Sequence, residues 1–237
     1  MERTIYASDS PAVHNQTLMA KCNVRKEQGL YEEALRELSR IYTYALSPEE
    51  SDNYYTQKAL LLYLAAHFEE ALATITEARY YTTSADTLTT LALIEALAAG
   101  QLGRWEESHK AALTYAAAQP QGDLLAAEID ALYNSTPKLR NPQLAWWLSM
   151  IPGVGQFYAG GVRSGIISLL VNGALAYFGV SEMVAGQWLS GWVVGCGGLS
   201  TTYFVGQERA RQLTLLRNRQ LLYDYNAALR NTLLPNE

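Results

Sequence analysis

Hydrophobic positions in the first 140 residues recur at the three- and four-residue spacing of amphipathic helices. Three segments in this part, GLYEEALREL, AHFEEALATI and GRWEESHKAA, align without gaps at a spacing of 37 residues. In each segment a small residue, an aromatic residue and a second small residue occupy the same places. These positions are Gly29, Tyr31 and Ala34, then Ala66, Phe68 and Ala71, then Gly103, Trp105 and Ser108. A period of this length predicts stacked helical hairpins.

The physical chemistry of one unit follows from this order. We interpret the first small residue as a point where two helices approach closely, and the aromatic residue as a cap on that contact. The two glutamates that follow would lie in the first turn of the second helix, where the helix dipole favours negative charge. The first helices of the three units are expected at 15–28, 53–65 and 86–100.

The pattern resembles the tetratricopeptide repeat over about residues 15–120. The period of 37 residues exceeds that family's repeat of about 34, which predicts longer loops. The resemblance implies a curved helical array that binds a peptide or a protein surface and performs no chemistry. The alternative, that the repeats only pack against the rest of the chain, stays equally open, because three repeats are near the minimum for a stable array.

Charge almost vanishes between residues 141 and 206, which contain only Arg163 and Glu182. Crossing the ~30 Å hydrocarbon core of a membrane takes about 20 helical residues. The uncharged stretches therefore predict two spans, at about 164–181 and 185–206, with a turn near Glu182. A buried hairpin in a soluble domain is the alternative. Close packing of the two helices is expected at their glycines, namely Gly165, Gly173, Gly191 and Gly195.

The segment WWLSMIPGVGQFYAGG, residues 146–161, precedes the first span. Its apolar part ends before Pro152 and reaches only roughly 15 Å at 1.5 Å per residue. We therefore predict a shallow re-entrant or interfacial helix and turn over 142–161, in which Gly153 and Gly155 permit a sharp reversal. The G-x-G spacing is not a dinucleotide site, because Tyr158 replaces the third glycine and no strand is predicted before it.

The run SMIPGVGQFYAGGVRSGIISLLVNGALAYF resembles the C-terminal module of uncharacterised bacterial membrane proteins, and more distantly the two-span TM2-domain family. The residues that carry the resemblance are Pro152, Gly153, Gly155, Gln156, Tyr158 and Gly160. The resemblance covers about residues 141–230. It implies a pair of membrane helices, often preceded by tetratricopeptide-like repeats, and it implies no activity. Such proteins often begin with an export signal, whereas MERTIYASDSPAVHN has no apolar run of about 7–15 residues.

Charge predicts orientation and partners. Residues 1–140 hold 12 Lys and Arg against 19 Asp and Glu, an acidic balance that argues against nucleic acid. The basic residues that flank the spans fall on one side of a two-span hairpin, which predicts a cytoplasmic array and C-terminus. Periplasmic repeats, after removal of an export signal, are the alternative. The amphipathic tail, 207–237, is expected either to lie on lipid or, preferably, to dock on the acidic array.

No catalytic or metal-binding motif stands out in the sequence. His14, His67 and His109 lack metal-ligand spacing, and two cysteines make no disulfide framework. The sequence therefore predicts an all-α protein with a repeat domain (1–137), a membrane module (138–206) and a C-terminal helix (207–237). It predicts no enzyme and no cofactor.

The expected function is a membrane-anchored adaptor that recruits a protein at a bacterial inner membrane. The alternative is a small oligomeric transporter or lipid-handling protein capped by the repeats. Self-association or a membrane-protein partner is also open.

Overall fold

The computed structural model describes residues 10–82 and 84–235, and it contains no β-strand in those ranges. The α-helices are α1 (Pro11–Glu27), α2 (Tyr31–Leu38), α3 (Pro48–Leu64), α4 (Phe68–Tyr81), α5 (Ala85–Gln101), α6 (Trp105–Ala117), α7 (Gly122–Tyr133), α8 (Pro142–Leu148), α9 (Val154–Ala159), α10 (Val162–Val184), α11 (Trp188–Ser190) and α12 (Gly198–Leu233). A 3₁₀ turn, Thr43–Ala45, precedes α3, and a π-helical segment, Gly191–Gly197, joins α11 to α12. The predicted all-α fold class is confirmed.

The chain forms two compact units. The first contains the residues up to Thr136 together with those from Tyr225 onward, and the second contains Pro137–Asp224. Helix α12 therefore contributes to both units. The charge pattern predicts a separate helix for residues 207–237, but position 207 lies inside α12. The return of charged residues after position 206 changes the composition of this helix without interrupting its backbone hydrogen bonds.

Three consecutive helical hairpins, α1–α2, α3–α4 and α5–α6, make up most of the first unit. Helix α3 packs against α2, α4 and α5, and α6 packs against α7. Helices α1 and α3 begin earlier than predicted, because Pro11 and Pro48 occupy the first helical turn, where a missing N–H costs nothing. Ser47 and Glu50 form a capping box at the start of α3.

The first small residue of each repeat has a left-handed backbone. The φ angles are +73° at Gly29, +63° at Ala66 and +70° at Gly103. In each turn the N–H of the next residue donates to the carbonyl five positions earlier, as in Leu30 to Arg25 at 2.9 Å, which is the Schellman geometry. A Cβ on Gly29 would meet nothing within 4 Å. The interpretation as a point of close approach is therefore wrong at Gly29, where backbone conformation explains the small residue.

The second small residue of each repeat is fully buried. Ala34, Ala71 and Ser108 are each 0% exposed. Ser108 also donates a hydrogen bond from Oγ to the carbonyl of Ala96 at 2.6 Å, which ties α6 to α5. The aromatic residues Tyr31, Phe68 and Trp105 begin α2, α4 and α6 and are half-buried. The glutamates follow in the first turn, as expected.

The end of α12 completes the hydrophobic core beside α5, α6 and α7. Tyr225, Leu229 and Leu233 are buried in a cluster with Ala112, Ile129 and Tyr133. The Asn226 side chain donates from Nδ2 to the carbonyl of Gly100 at 3.1 Å. The expected docking of the tail on the array is thus observed for this last part of α12, and apolar burial rather than charge dominates the contact.

The second unit contains α8, α9, α10 and the residues from α11 to Asp224. Helix α10 is the one helix in the described residues that is long and apolar enough to cross a membrane. Its mean hydropathy is 1.5, and only 17% of the apolar window is buried. The second predicted span, 185–206, is not one regular α-helix. It comprises a turn with Gly186 at φ +81°, then α11, the π-helical segment and the start of α12.

Candidate functional site

A groove with polar and apolar lining runs along the first helices of the three hairpins. Two neighbouring hollows form it, one between α1 and α3 with a volume of about 260 Å³ and one between α3 and α5 with a volume of about 360 Å³. Asn53 on α3 lines both hollows, so they are neighbours on one face of the array. We call this surface the α1–α3–α5 groove; its lining includes Gln16, Asn23, Glu49, Asp52, Asn53, Thr56, Asp86, Thr87 and Thr90.

The lining of this groove carries negative charge and hydrogen-bonding groups. The carboxylates of Glu49, Glu50, Asp52 and Asp86 line the two hollows, and no Lys or Arg does among the residues that the structure describes. Asn23 Oδ1 is buried and has no hydrogen-bond partner among the described residues. A buried acceptor without a partner costs about 1–3 kcal/mol. The groove can therefore accept hydrogen bonds from the backbone N–H groups or the cationic side chains of an extended segment.

The motif PGVGQFYAG forms α9 and the turns on either side of it. Gly153 precedes the helix at φ +90°, and Gly160 follows it at φ +88°. Gly155 has ordinary helical geometry, and it is the close approach of α8 that requires glycine there, since a Cβ would overlap Ser149 Oγ and the Ala145 carbonyl. The predicted irregular turn is thus largely a short helix, and the expected backbone role of Gly155 becomes a packing role.

Two polar side chains of this motif hold it in place. The buried Gln156 donates from Nε2 to the carbonyl of Gly206 on α12 at 2.9 Å. The Tyr158 hydroxyl accepts a hydrogen bond from the backbone N–H of Asn141 at 3.1 Å, and the Arg140 guanidinium donates to the Tyr158 carbonyl. Pro152 lies in the turn before Gly153 and is half-buried. These hydrogen bonds connect the motif to α12 and to the segment that precedes α8.

The glycines of the predicted hairpin pack in a different register from the one expected. A Cβ on Gly195 would lie 2.6 Å from Gly179 Cα, and one on Gly191 would lie 2.9 Å from the Gly179 carbonyl oxygen. Gly165 packs against the Phe157 ring, where a Cβ would lie 2.8 Å away. Gly173 is exposed and has nothing within 4 Å of a Cβ position. Gly173 therefore makes no helix contact, and Gly179, which the sequence analysis did not select, is the partner of Gly191 and Gly195.

Beyond these glycines, α9, α10 and α12 line an open pocket of about 170 Å³. Asn172 and Thr202 join α10 to α12 at its wall, where Thr202 Oγ1 donates to Asn172 Oδ1 at 2.7 Å. Gln156 Oε1 is buried beside the pocket and has no partner among the described residues. Asn172 and Gln156 thus both take part in hydrogen bonds between helices.

Titratable groups with shifted pKa values lie in the first unit. Burial raises the pKa of the Cys22 thiol to about 11 and that of the Tyr133 hydroxyl to about 12. These shifts keep both groups neutral near pH 7 and give no activated nucleophile. Within residues 10–82 and 84–235, no group of three His, Cys, Asp or Glu side chains could hold a metal ion.

Comparison of the chain with family models, with curated proteins and with solved structures gives no match. The groove and the pocket therefore have to be interpreted from their own geometry and charge.

Proposed function

We propose that this protein is a membrane-anchored adaptor whose helical array binds an extended, positively charged segment of a partner protein. The observation that carries the proposal is the charge of the α1–α3–α5 groove, whose described lining contains four carboxylates and no Lys or Arg. Opposite charge on the partner favours encounter and register. The tetratricopeptide resemblance of the repeats agrees with this use of the array.

Membrane anchoring is supported by the exposed apolar surface of the second unit. At 1.5 Å per residue, the 23 residues of α10 extend about 34 Å, which is enough for the hydrocarbon core. Large apolar side chains are exposed along α10 and along residues 188–205, among them Leu170, Val180, Trp188, Leu189, Trp192 and Phe204. Water solvates such a surface poorly, whereas lipid covers it. We propose two spans, α10 and residues 188–206, with the array and the C-terminus in the cytoplasm of a bacterial cell.

Neutralising exposed acids of the groove tests the adaptor proposal. Glu49 and Asp86 are exposed and form no ion pair among the described residues, so a Glu49→Gln, Asp86→Asn variant should fold normally. Purified full-length protein in detergent would be titrated with a fluorescent peptide that contains lysine and asparagine. A second peptide, in which glutamate replaces each lysine, would be titrated in the same way. We expect the lysine peptide to bind, and the variant to lose at least fivefold in affinity. A Glu106→Gln, Glu128→Gln variant, altered outside the groove, is the matched control.

Two results of this titration would contradict the proposal. Equal affinity for the two peptides, or an equal loss in the control variant, would overturn the assignment of a basic partner segment. A cross-linker placed at Thr56 in the groove, compared with one at Thr114 on α6, would then identify the cellular partner and the residues that it presents.

Membrane anchoring has its own test. The protein is expected to fractionate with membranes and to resist carbonate extraction, and recovery without detergent would contradict the proposal. A reporter after residue 237 and a label at position 182 should report opposite sides. In proteoliposomes, Cys196, which is exposed on the π-helical segment, should resist a charged maleimide and should react with it after the lipid is dissolved in denaturing detergent.

The alternative function, a small oligomeric transporter or lipid-handling protein, is favoured by a separate observation. The pocket beside Gln156 and Asn172 places a few polar side chains in a largely apolar wall, and it lies between helices that carry exposed apolar surface. We retain lipid handling as the second candidate on that ground.

A further inference from the structure

The pocket between α9, α10 and α12 has an unusual division of polar groups. Asn172 and Thr202 bond to each other, and Asn172 also donates to the Ser168 carbonyl at 2.7 Å, so their main hydrogen-bonding capacity is used within the protein. Arg209 and Ser164 also line the pocket, and neither has a side-chain hydrogen bond or ion pair among the described residues. These two donors are therefore available to a ligand.

The available donors favour an anion. Arg209 presents a planar guanidinium with five N–H donors, which suits phosphate oxygens. Ser164 and Ser168 lie four residues apart and thus on one face of α10, and both line the same pocket as Arg209. Asp and Glu are absent from the described lining, so the positive charge of Arg209 is not balanced there. A phosphodiester would balance it.

A hydrogen-bond acceptor of Gln156 in the same pocket indicates which second functional group the anionic ligand must carry. Gln156 is 1% exposed, and its Oε1 has no hydrogen-bond donor among the described residues. A single water needs only about 10–15 Å³, whereas this pocket measures about 170 Å³. A ligand hydroxyl would satisfy Oε1. A ligand ammonium fits less well, because a cation is stabilised best by a carboxylate and the described lining has none.

The position of the pocket points to a lipid as the source of that phosphodiester. Arg163 at the start of α10 and Arg209 on α12 lie at the same end of the hairpin, where the spans would leave the hydrocarbon core. Ile167, Val171 and Val205 also line the pocket and make most of its wall apolar, as a lipid would require. We propose that this pocket binds the headgroup of an anionic phospholipid whose phosphodiester carries a neutral hydroxylated group, as in phosphatidylglycerol. This inference rests on the proposed membrane location.

The test uses the full chain in detergent, with dihexanoyl phospholipids as probes and native mass spectrometry and thermal stability as readouts. Phosphatidylglycerol should bind and raise Tm, and phosphatidylethanol, which lacks the headgroup hydroxyls, should bind at least tenfold more weakly. Phosphatidylcholine should also bind at least tenfold more weakly. Arg209→Gln should weaken phosphatidylglycerol binding at least tenfold, and Ser164→Val, which fills the pocket, should do the same. Arg211→Gln, two residues further along α12, should leave binding unchanged.

The possible results separate the sources of the anion and the two proposals. Displacement of the lipid by inorganic phosphate or glycerol phosphate at equal concentration would show a soluble-anion site and would overturn the lipid assignment. Equal affinity for phosphatidylglycerol and phosphatidylcholine, or equal loss in the Arg209 and Arg211 variants, would overturn the pocket. Because short-chain lipids are dispersed in solution, this binding is measured independently of carbonate extraction, which tests the membrane location alone.

Discussion

The side chain of Asn218 pairs with both backbone groups of Arg140, which lies 78 residues earlier in the chain. The Arg140 N–H donates to Asn218 Oδ1 at 3.0 Å, and Asn218 Nδ2 donates to the Arg140 carbonyl at 2.7 Å. Arg140 in turn donates from its guanidinium to the Tyr158 carbonyl. Asn218 therefore fixes the segment that leads into α8 and, through Arg140, the end of the glycine-rich motif.

Removal of this pair should destabilise the second unit. Asn218→Ala leaves two backbone groups of Arg140 without their partner, and we expect a loss of about 1–3 kcal/mol in unfolding free energy. The measurement is urea denaturation of the protein in mild detergent. Gln220→Ala is the control on the same helix, because the Gln220 amide bonds to the exposed Asp224 and to no other described residue. Similar midpoints for the two variants would contradict the assigned role.

The glycines of the second unit should respond differently to alanine. Gly153→Ala places a Cβ at φ +90° and 2.7 Å from the Gly165 carbonyl, and Gly155→Ala forces α8 away from α9. Each should lower the Tm in detergent and the yield of folded protein, whereas Gly173→Ala should have little effect. Added nucleotide should leave the Tm of the wild-type protein unchanged. A nucleotide-dependent rise that Gly155→Ala abolishes would revive a phosphate-binding role for the motif.

Alanine at position 66 occupies a backbone conformation that favours glycine. An L residue in the left-handed region is disfavoured by roughly 1–2 kcal/mol, and part of the gain is offset by the greater unfolded-state entropy of glycine. We expect Ala66→Gly to stabilise the array by about 0.5–1 kcal/mol in chemical denaturation. The reverse change, Gly29→Ala, should destabilise it by a similar amount. Destabilisation by Ala66→Gly would show that the Ala66 methyl group makes a contact that outweighs its strain.

Docking of the end of α12 should contribute strongly to the stability of the array. Leu229 is 0% exposed in the cluster with Ile129 and Tyr133, and Leu→Ala changes at such sites cost about 2–5 kcal/mol. Leu234→Ala, at a residue that is 45% exposed, is the matched control and should change stability little. The readout is hydrogen exchange of α6 and α7, which should accelerate in the Leu229 variant alone. Unchanged exchange there would contradict a stabilising role for the docked segment.

Alkaline pH should weaken the same cluster. Burial raises the pKa of Tyr133 to about 12 in the folded protein, compared with about 10 in the unfolded chain. A group whose folded pKa is raised contributes stability that is complete below the unfolded value and is lost as pH rises towards the folded value. The unfolding free energy should therefore fall between about pH 10 and 12. Tyr133→Phe should flatten this decline, and an identical pH profile in that variant would exclude Tyr133 as its cause.

The sequence predicted the features that repeat or that depend on composition. The 37-residue period located the three hairpins, and the loss of charge after residue 140 located the apolar helix α10. The reason for the small residue at each turn was misjudged, because an alanine at position 66 conceals the positive φ that the two glycines share. The packing role of Gly155 depends on Ser149 and Ala145, whose proximity follows from a turn that periodicity does not describe.

Contacts between distant parts of the chain were harder to find. Gly179 packs against Gly191 and Gly195 because the turn lies at 185–187. The predicted turn near Glu182 was several residues too early, and in an antiparallel hairpin that error places Gly173 opposite Gly191. Asn218 and Asn226 are single polar residues in an amphipathic helix, so they produce no periodic signal. The unbroken helical pattern across position 207 indicates that α12 is one helix. The change in charge at that position obscured this pattern.

The division of the first unit between two distant parts of the sequence has a consequence for biosynthesis. A ribosome makes the three hairpins first and the apolar helices next. It makes residues 225–233 only after both. Until that segment emerges, Ile129, Tyr133 and Ala112 lack the side chains that cover them in the finished protein. The array can therefore reach its full stability only after the apolar helices have been synthesised. A chain that stalls before residue 225 would expose an apolar patch on α5–α7, where chaperones and proteases act on incomplete products.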